Sequence, residues 1–535
     1  MSFVSTQPVA QTAAARIDQT TNRIRRSALD RPLVAVLLVG LFALVPALVK
    51  LAFYPAYPGS DDAFIHMAVA EHILDGSGWG IVSNDRVNLS SSPLFTVLLL
   101  PVLTVGSIGL AQVLSLVFAF AALAISYLAT RAMTSSVACG LAALVVAAAN
   151  VHLWRWSGTM METSLGYLSV TVIALTTLML IRSKSESVWQ LTLLGLLIGL
   201  GTEVRFEIGL FLPLSFLALW FSRRENRVRL LAVVVGFCVA VAPWIVFATA
   251  YFGTPIPTTF FAKTSGFHVV NVTIIKQLGS VVATGFGLSI VLAVAALVIA
   301  ARCTEGRARL RLYAAPLTYL IAWPIALFAF YYVKTDGLQS AARYYVPGMA
   351  TWPIAFGLLA ASIPRRELRK FRLALISGLV GCLAIGLAIN VLLIRPILIA
   401  FNDGYRSAMT EGAAYLRANC RPGDVALIFV DIGVMARDGI GNCALADGGA
   451  LATPSLRGMT LAAEIAKVHP TFVVQSIGYR RDELSAQFPN LKLRMSKSYT
   501  DHGVSTADAT ICSWVRQPQD CNNMQNDYVN IYAVE

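Results

Sequence analysis

Two adjacent carboxylates, Asp61 and Asp62, open a polar segment of the sequence, and His66 follows four residues after Asp62. Ser60 can cap a helix that begins at Asp61, and Gly76 can end it. Residues four apart share a helix face, so Asp62 and His66 can pair. The apolar residues among them predict an amphipathic helix that rests on the membrane surface.

The two carboxylates have a functional and a structural interpretation. A carboxylate near apolar walls and beside a second carboxylate has its ionised form disfavoured, which raises its pKa and makes it a better general base. Alternatively, acidic residues in a first turn only stabilise the helix dipole. The two carboxylates lie in a long loop, residues 54–93, and long ordered loops often carry function. The sequence therefore favours a general base at the membrane surface.

Three further charged residues stand at the ends of apolar segments. Glu162 lies at the edge of one segment, where a charge is costly unless it is paired or functional. Arg205 and Glu207 lie between two segments, where pairing within the protein would be enough to explain them. Substrate binding is the alternative role for all three.

Lys263 and Arg343, which precedes Tyr344, are predicted to lie on the outer face, against the preference of basic residues for the cytoplasmic side. Either cation could reach toward the interface or balance an acid. Either could also bind the phosphate of a lipid carrier, arginine through two parallel hydrogen bonds and lysine as a point charge.

The composition identifies the solvent in which these residues must act. Hydrophobic residues make up 56% of the 535 residues and charged residues only 13%, with a mean hydropathy of +0.67. Soluble domains carry about 25% charge, so the chain is predicted to be an integral membrane protein. The net charge of +13 falls in short clusters between apolar runs, which excludes a nucleic-acid-binding stripe.

Apolar runs long enough to cross a bilayer predict about eleven transmembrane helices, at 33–52, 108–129, 135–151, 160–181, 189–203, 207–222, 229–250, 280–301, 312–332, 345–362 and 373–394. Basic clusters fall in every second loop, which predicts a cytoplasmic N-terminus and an exported C-terminal region. The stretch from Pro93 to Val105 is short and contains Pro101. Counting it as a span would invert the later loops, so it is predicted to be juxtamembrane or re-entrant.

The sequence divides into three regions. Residues 1–32 are predicted to be a cytoplasmic tail, followed by a retained signal anchor. Residues 33–394 form the membrane domain, with a long outer loop at 54–93. Residues 395–535 alternate strand and helix patterns, which predicts a small periplasmic α/β domain without a glycine-rich phosphate loop. Its cysteines permit two disulfides in three connectivities and are Cys420, Cys443, Cys512 and Cys521.

The order of these motifs resembles that of the GT-C superfamily of membrane glycosyltransferases, which use polyprenyl-phosphate-linked sugars. Within it, the chain is most similar to the bacterial, mycobacterial-type arabinofuranosyltransferases that add terminal arabinose. The motifs that carry the likeness are Ser60-Asp61-Asp62-Ala-Phe-Ile, Gly76-Ser-Gly-Trp79-Gly80, Ser91-Ser92-Pro93-Leu94, Ser157-Gly158-Thr-Met-Met161-Glu162-Thr163, Arg205-Phe-Glu207, the run from Gly253 to Lys263, and Arg343-Tyr344-Tyr345-Val-Pro347.

The resemblance implies an inverting sugar transfer outside the bacterial cytoplasmic membrane. Asp61 or Asp62 would deprotonate an acceptor hydroxyl on a glycan, a glycolipid or a protein. The lipid phosphate would leave and be stabilised by cationic side chains, without a metal or any cofactor beyond the lipid-linked sugar. The residues expected to bind the donor and its phosphate are His66, Glu162, Arg205, Glu207, Lys263, Arg343 and Tyr344.

Two functions from other classes compete with the enzyme. A transporter or flippase of a lipid-linked or amphiphilic substrate would show charges at mid-membrane depth and paired repeats. The sequence has few charges inside its apolar runs and no convincing repeat. A non-enzymatic anchor or receptor would need far fewer than eleven spans. The sequence therefore favours a glycosyltransferase.

Overall fold

The structure, a computed structural model, describes residues 40, 61–81, 86–106, 108–183, 187–222, 227–263, 270–335, 342–394, 404, 406–429, 431–475, 481–498 and 528–535. The predicted cytoplasmic tail, the first span apart from residue 40, and Ser60 lie outside these residues. So do Cys512 and Cys521. Of Lys263, only the backbone is described.

The region up to residue 394 is built of helices. They are α1 (Asp61–Leu74), α2 (Pro93–Thr104), α3 (Ile108–Thr134), α4 (Val137–Ala148), α5 (Val151–Trp156), α6 (Thr163–Arg182), α7 (Val188–Val204), α8 (Phe211–Ser222), α9 (Leu231–Phe252), α10 (Thr258–Lys263), α11 (Val272–Arg302), α12 (Thr304–Leu312), α13 (Ala314–Lys334), α14 (Ala342–Gly348), α15 (Trp352–Ser362) and α16 (Arg365–Ile389). Short 3₁₀ turns at Phe206–Leu210, Arg227–Leu230 and Met349–Thr351 extend or join them, and one π turn covers Asn390–Ile394.

Within the described ranges, six helical segments are long and apolar enough to cross a membrane: Ile108–Thr134, Thr163–Arg182, Arg227–Phe252, Val272–Arg302, Ala314–Lys334 and Arg365–Leu392. The polytopic helical class is therefore confirmed, whereas the predicted number of eleven spans is not. Several predicted spans are shorter helices. α4, for example, has 12 residues and is about 18 Å long, against a hydrocarbon core of about 30 Å. α2 has the same length, as expected of the Pro93–Val105 stretch.

α7 and α9 pack with their backbones almost in contact. A Cβ atom on Gly195 would lie 2.8 Å from the amide nitrogen of Phe237, and a Cβ atom on Gly236 would lie 3.0 Å from that of Leu196. Small residues permit this approach between helices in a membrane. The packing fixes the end of α7, after which Arg205 follows directly.

The C-terminal region is an α/β domain with a five-stranded sheet. Its elements are α17 (Ser407–Asn419), β1 (Val425–Phe429), α18 (Ile432–Asp438), β2 (Ala444–Asp447), α19 (Leu461–Val468), β3 (Phe472–Gln475), β4 (Leu491–Ser498) and β5 (Tyr528–Val534). The strand order is β2-β1-β3-β5-β4. β2, β1 and β3 are parallel to one another, and β5 is antiparallel to both β3 and β4. This confirms the predicted small α/β unit, with two strands that the sequence analysis did not identify.

α1 begins at Asp61 as predicted, but its surroundings differ from the prediction. All of its first ten residues except Asp62 are buried, so the helix does not rest on the membrane surface with one face in water. The C-terminal domain covers one side of it, and the membrane helices contact the side that carries Asp62 and His66. Ile65 and Val69 of α1 belong to one buried apolar cluster with Ile432 and Ala452 of that domain.

Trp154 of α5 has a buried side chain. Its indole N–H donates to the Ala148 carbonyl at 2.7 Å, which satisfies the polar end of the ring inside the protein.

Cys420 and Cys443 form a disulfide that joins the end of α17 to the start of β2. We expect Cys443→Ser to lower the free energy of unfolding of the C-terminal domain by about 3 kcal/mol, because the bond closes a loop across 23 residues. Melting curves with and without reductant test this, with Cys238→Ser, a free thiol in α9, as the control. Maleimide labelling of Cys420 or Cys443 in unreduced protein would contradict the pairing.

Candidate active site

The charged residues singled out by the sequence converge between α1 and the ends of three other helices. Asp62 and His66 lie in α1, and Glu162 precedes α6. Arg205 follows α7, and Arg343 lies in α14. Chain segments that are far apart in sequence therefore form one polar centre in an otherwise apolar domain.

Arg205 is the centre of this cluster. Its guanidinium contacts Glu162 Oε1 at 2.5 Å and Glu207 Oε1 at 2.6 Å. Tyr331, at the end of α13, donates its hydroxyl hydrogen to the same Glu207 oxygen at 2.6 Å. All four side chains are buried. A buried charge is stable only when it is paired and hydrogen-bonded, and this arrangement meets that condition for Arg205.

Glu162 joins the arginine to His66. Its second carboxylate oxygen lies 3.5 Å from His66 Nε2, while His66 Nδ1 lies 3.1 Å from Ser90 Oγ and 3.3 Å from Thr96 Oγ1. Burial opposes ionisation, but the neighbouring His66 and the charge of Arg205 outweigh it and lower the pKa of Glu162 to about 2. Glu162 is therefore a fixed anion at neutral pH.

Asp62 and Arg343 form a second ion pair beside the first. Their closest oxygen and nitrogen atoms are 2.9 Å apart, and Arg343 also donates to the Tyr344 hydroxyl at 2.8 Å. The Tyr344 ring lies 4.8 Å from the Arg343 guanidinium carbon and 5.0 Å from that of Arg205. The Tyr344 ring thus lies within cation–π distance of two buried guanidinium groups.

Asp61 is turned away from this cluster. Its Oδ1 accepts the backbone N–H of Val434, in α18 of the C-terminal domain, at 3.0 Å. Burial raises the pKa of Asp61 well above its ordinary value, as do the charges of Asp431 and Asp62, although N–H groups of Gly433 and Val434 oppose the change. The two carboxylates therefore have different surroundings, one between two domains and one beside an arginine.

A cavity opens next to the cluster. Asp62, Arg205 and Tyr344 lie on its wall. The remaining lining residues are Ser91, Glu162, Phe206, Glu207, Pro257, Thr259, Phe260, Phe330, Tyr331 and Thr335. A pocket whose surface is mostly apolar, with a few converging charges, is typical of a site for a small organic ligand.

Eight of the nine predicted site residues can be placed. Seven meet around the cavity or the adjoining ion pairs: Asp62, His66, Glu162, Arg205, Glu207, Arg343 and Tyr344. Asp61 instead contacts the C-terminal domain. Lys263 ends α10, whose Thr259 and Phe260 line the cavity, but its side chain lies outside the described residues.

The sequence analysis missed Tyr331, Ser90 and Thr96. Tyr331 stands among aromatic residues near the end of an apolar run, where nothing distinguishes its hydroxyl from those of its neighbours. The Ser90 and Thr96 hydroxyls are 2.8 Å apart and both face the same ring nitrogen of His66. Among the described side chains, no group of three or more His, Cys, Asp or Glu could hold a metal ion.

The pH dependence of the stability of a Glu162→Gln variant tests the buried ion pairs. Since the pKa of Glu162 is lowered from 4.5 to about 2, its charge stabilises the fold above about pH 4.5, and this contribution disappears as the pH falls toward 2. We expect the variant to lose roughly 3 kcal/mol at neutral pH and to melt with a flatter acid dependence than the wild type. Thermal melting in detergent, from neutral pH down to about pH 2, measures both the loss of stability and its acid dependence. Glu305→Gln, at an exposed ion pair, is the control, and identical acid slopes in wild type and Glu162→Gln would contradict the assignment.

No protein-family model matches the sequence, and no curated protein sequence matches it. Solved structures do match. ArnT from Cupriavidus metallidurans, bound to undecaprenyl phosphate, gives a TM-score of 0.61 at 13% identity, over 92% of this chain and 97% of that chain. The oligosaccharyltransferase AglB from Archaeoglobus fulgidus, in complex with an inhibitory peptide and a dolichol-phosphate, gives 0.52 at 12% identity, over 83% and 69%.

The arabinofuranosyltransferase AftD from mycobacteria gives a TM-score of 0.50 at 14% identity, over 85% of this chain and 39% of that chain. At such identities a likeness concerns the fold alone. Over most of its length, the chain therefore shares the fold of these three proteins.

Proposed function

We propose that the protein is a membrane glycosyltransferase that moves a sugar from a polyprenyl phosphate to an extracytoplasmic glycan, glycolipid or protein. The observation that carries the proposal is the cavity with a carboxylate, Asp62, and two guanidinium groups, Arg205 and Arg343, at its side. A base and cations for an anionic leaving group are the parts that such a transfer requires.

The donor phosphate is assigned to Arg343. Arg205 already contacts two carboxylates, whereas Arg343 lies 2.9 Å from Asp62, a residue of the cavity wall. A phosphate that approaches Arg343 competes with Asp62 for its N–H groups. The carboxylate would then be released toward the acceptor at the moment when the donor is in place.

The charge balance of the cluster supports a role for Lys263. Three carboxylates, on Asp62, Glu162 and Glu207, face two guanidinium groups, and an arriving phosphate adds another negative charge. A further cation would stabilise the phosphate as its charge grows during the reaction. Lys263 on α10 is the proposed source.

The proposed reaction is an inverting substitution. Asp62 accepts the proton of the acceptor hydroxyl, whose oxygen forms a bond to the anomeric carbon of the sugar. The bond from that carbon to the phosphate oxygen breaks, and the phosphate leaves with the electron pair. Asp61, held by Val434, is not assigned to this step.

Several observations support the proposed class of sugar donor and the proposed location of the C-terminal domain. Two structures with the same fold were solved with undecaprenyl phosphate and dolichol-phosphate, and a third is that of an arabinofuranosyltransferase. We therefore propose arabinofuranose as the first sugar to test. The Cys420–Cys443 disulfide favours a C-terminal domain outside the cytoplasm, at the bacterial cytoplasmic membrane.

Asp62→Asn and Asp61→Asn test the identity of the base. With purified protein in detergent and a panel of polyprenyl-phosphate sugars, we expect Asp62→Asn to lower turnover by a factor of about 10² to 10⁴ while donor binding is kept. Asp61→Asn should keep most of its turnover, because an amide oxygen can still accept the Val434 N–H. The opposite result would exchange the two assignments, and a wild type that transfers no sugar would refute glycosyl transfer with these donors.

Arg343→Lys tests the phosphate site. Lysine keeps the charge but cannot make two parallel hydrogen bonds, so we expect donor affinity to fall about tenfold. Binding of undecaprenyl phosphate, followed by tryptophan fluorescence, provides the measurement. Arg309→Lys, at a half-buried arginine paired with Glu305 and outside the cavity lining, is the matched control. Unchanged affinity in Arg343→Lys would place the phosphate elsewhere.

A further inference from the structure

The C-terminal domain contacts α1 at the residue next to the proposed base. Val434 donates its backbone N–H to Asp61, and Gly433 lies against the first turn of α1. A Cβ atom on Gly433 would come within 2.6 Å of the Asp61 carbonyl oxygen and 2.9 Å of the Ile65 nitrogen. Only glycine permits this approach without movement of one backbone.

The contact continues along the rest of the helix. In the second and third turns, Ile65 and Val69 share an apolar cluster with the C-terminal domain. Near the end of α1, Glu71 lies 3.4 Å from Arg437 of α18. Together with the Asp61 contact, these interactions hold both the tilt of α1 and its rotation about its own axis.

The rotation of α1 decides where Asp62 points. Consecutive residues in an α-helix are about 100° apart around the axis, so Asp61 and Asp62 cannot face the same side. With Asp61 directed at α18, Asp62 is directed into the cavity. A rotation of α1 by one residue position would bury Asp62 under the C-terminal domain and remove it from Arg343.

We propose that Asp61 is a positioning residue through which the C-terminal domain fixes α1, so that Asp62 is presented to the substrates. This inference rests on the proposed function, because it assigns the purpose of Asp61 within that reaction. The domain thereby contributes to catalysis without placing one of its own side chains at the reacting atoms. Asp61 acts through its oxygen as a hydrogen-bond acceptor and needs no negative charge for this.

The experiment uses the full-length protein with three variants of the contact and one control. Gly433→Ala intrudes on α1, Asp61→Ala removes the acceptor, and Asp61→Asn keeps it. Gly279→Ala adds the same methyl group in α11, where no atom lies within 4 Å. Sugar transfer, undecaprenyl phosphate binding and hydrogen exchange of the amides at 62–74 are measured for each.

We expect Gly433→Ala and Asp61→Ala to lower kcat about tenfold or more, because small displacements of a reacting group are costly. Donor affinity should stay within about twofold, since Arg343 is untouched, and the α1 amides should exchange faster. Asp61→Asn and Gly279→Ala should behave like the wild type. A general loss of stability would not lower kcat while leaving donor affinity unchanged. Nor would it be absent when asparagine, rather than alanine, replaces Asp61.

Three results would overturn the inference. The first is wild-type kcat in both Gly433→Ala and Asp61→Ala while Asp62→Asn is inactive. The second is a parallel loss of kcat and donor affinity, and the third is an equal loss in Gly279→Ala. If the wild type transfers no sugar, the proposed function fails by itself. Hydrogen exchange then tests the positioning of α1 alone, and unchanged exchange in Gly433→Ala refutes it.

Discussion

The site depends on a buried arginine held between two carboxylates. Arg205 cannot be buried without Glu162 and Glu207, and neither carboxylate would be stable there without it. Because Glu162 also contacts His66 of α1, the same charges bind α1 to the membrane helices. Removing one charge would leave others uncompensated, so the cluster acts as a unit that fixes the wall of the cavity.

The two faces of α1 carry different kinds of interaction. Toward the membrane helices it presents Asp62 and His66, which enter ion pairs and hydrogen bonds of defined geometry. Toward the C-terminal domain it presents Asp61 and an apolar surface. Directional contacts on one face and close packing on the other give the helix a single orientation, which a site assembled on it requires.

The types of residue at the site could be predicted from the sequence, whereas their partners could not. Charges beside apolar runs are costly, so Glu162 and Arg343 were recognisable as paired or functional. Tyr331 was not, because its hydroxyl is one of several in an aromatic run.

The same limit applied to the fold. Repeated apolar runs predicted the helical membrane class, but not which helices would be too short to span. β4 alternates with charged residues such as Lys492 and Arg494, so it lacks the apolar pattern of β1 and β3. The different roles of Asp61 and Asp62 depend on Val434, a contact across 373 residues that no local pattern contains. That separation also orders the biosynthesis of the protein: α1 leaves the ribosome before the C-terminal domain, so its final surroundings exist only after that domain has been made and folded. A chain that stalls between the two would carry α1 without its cover.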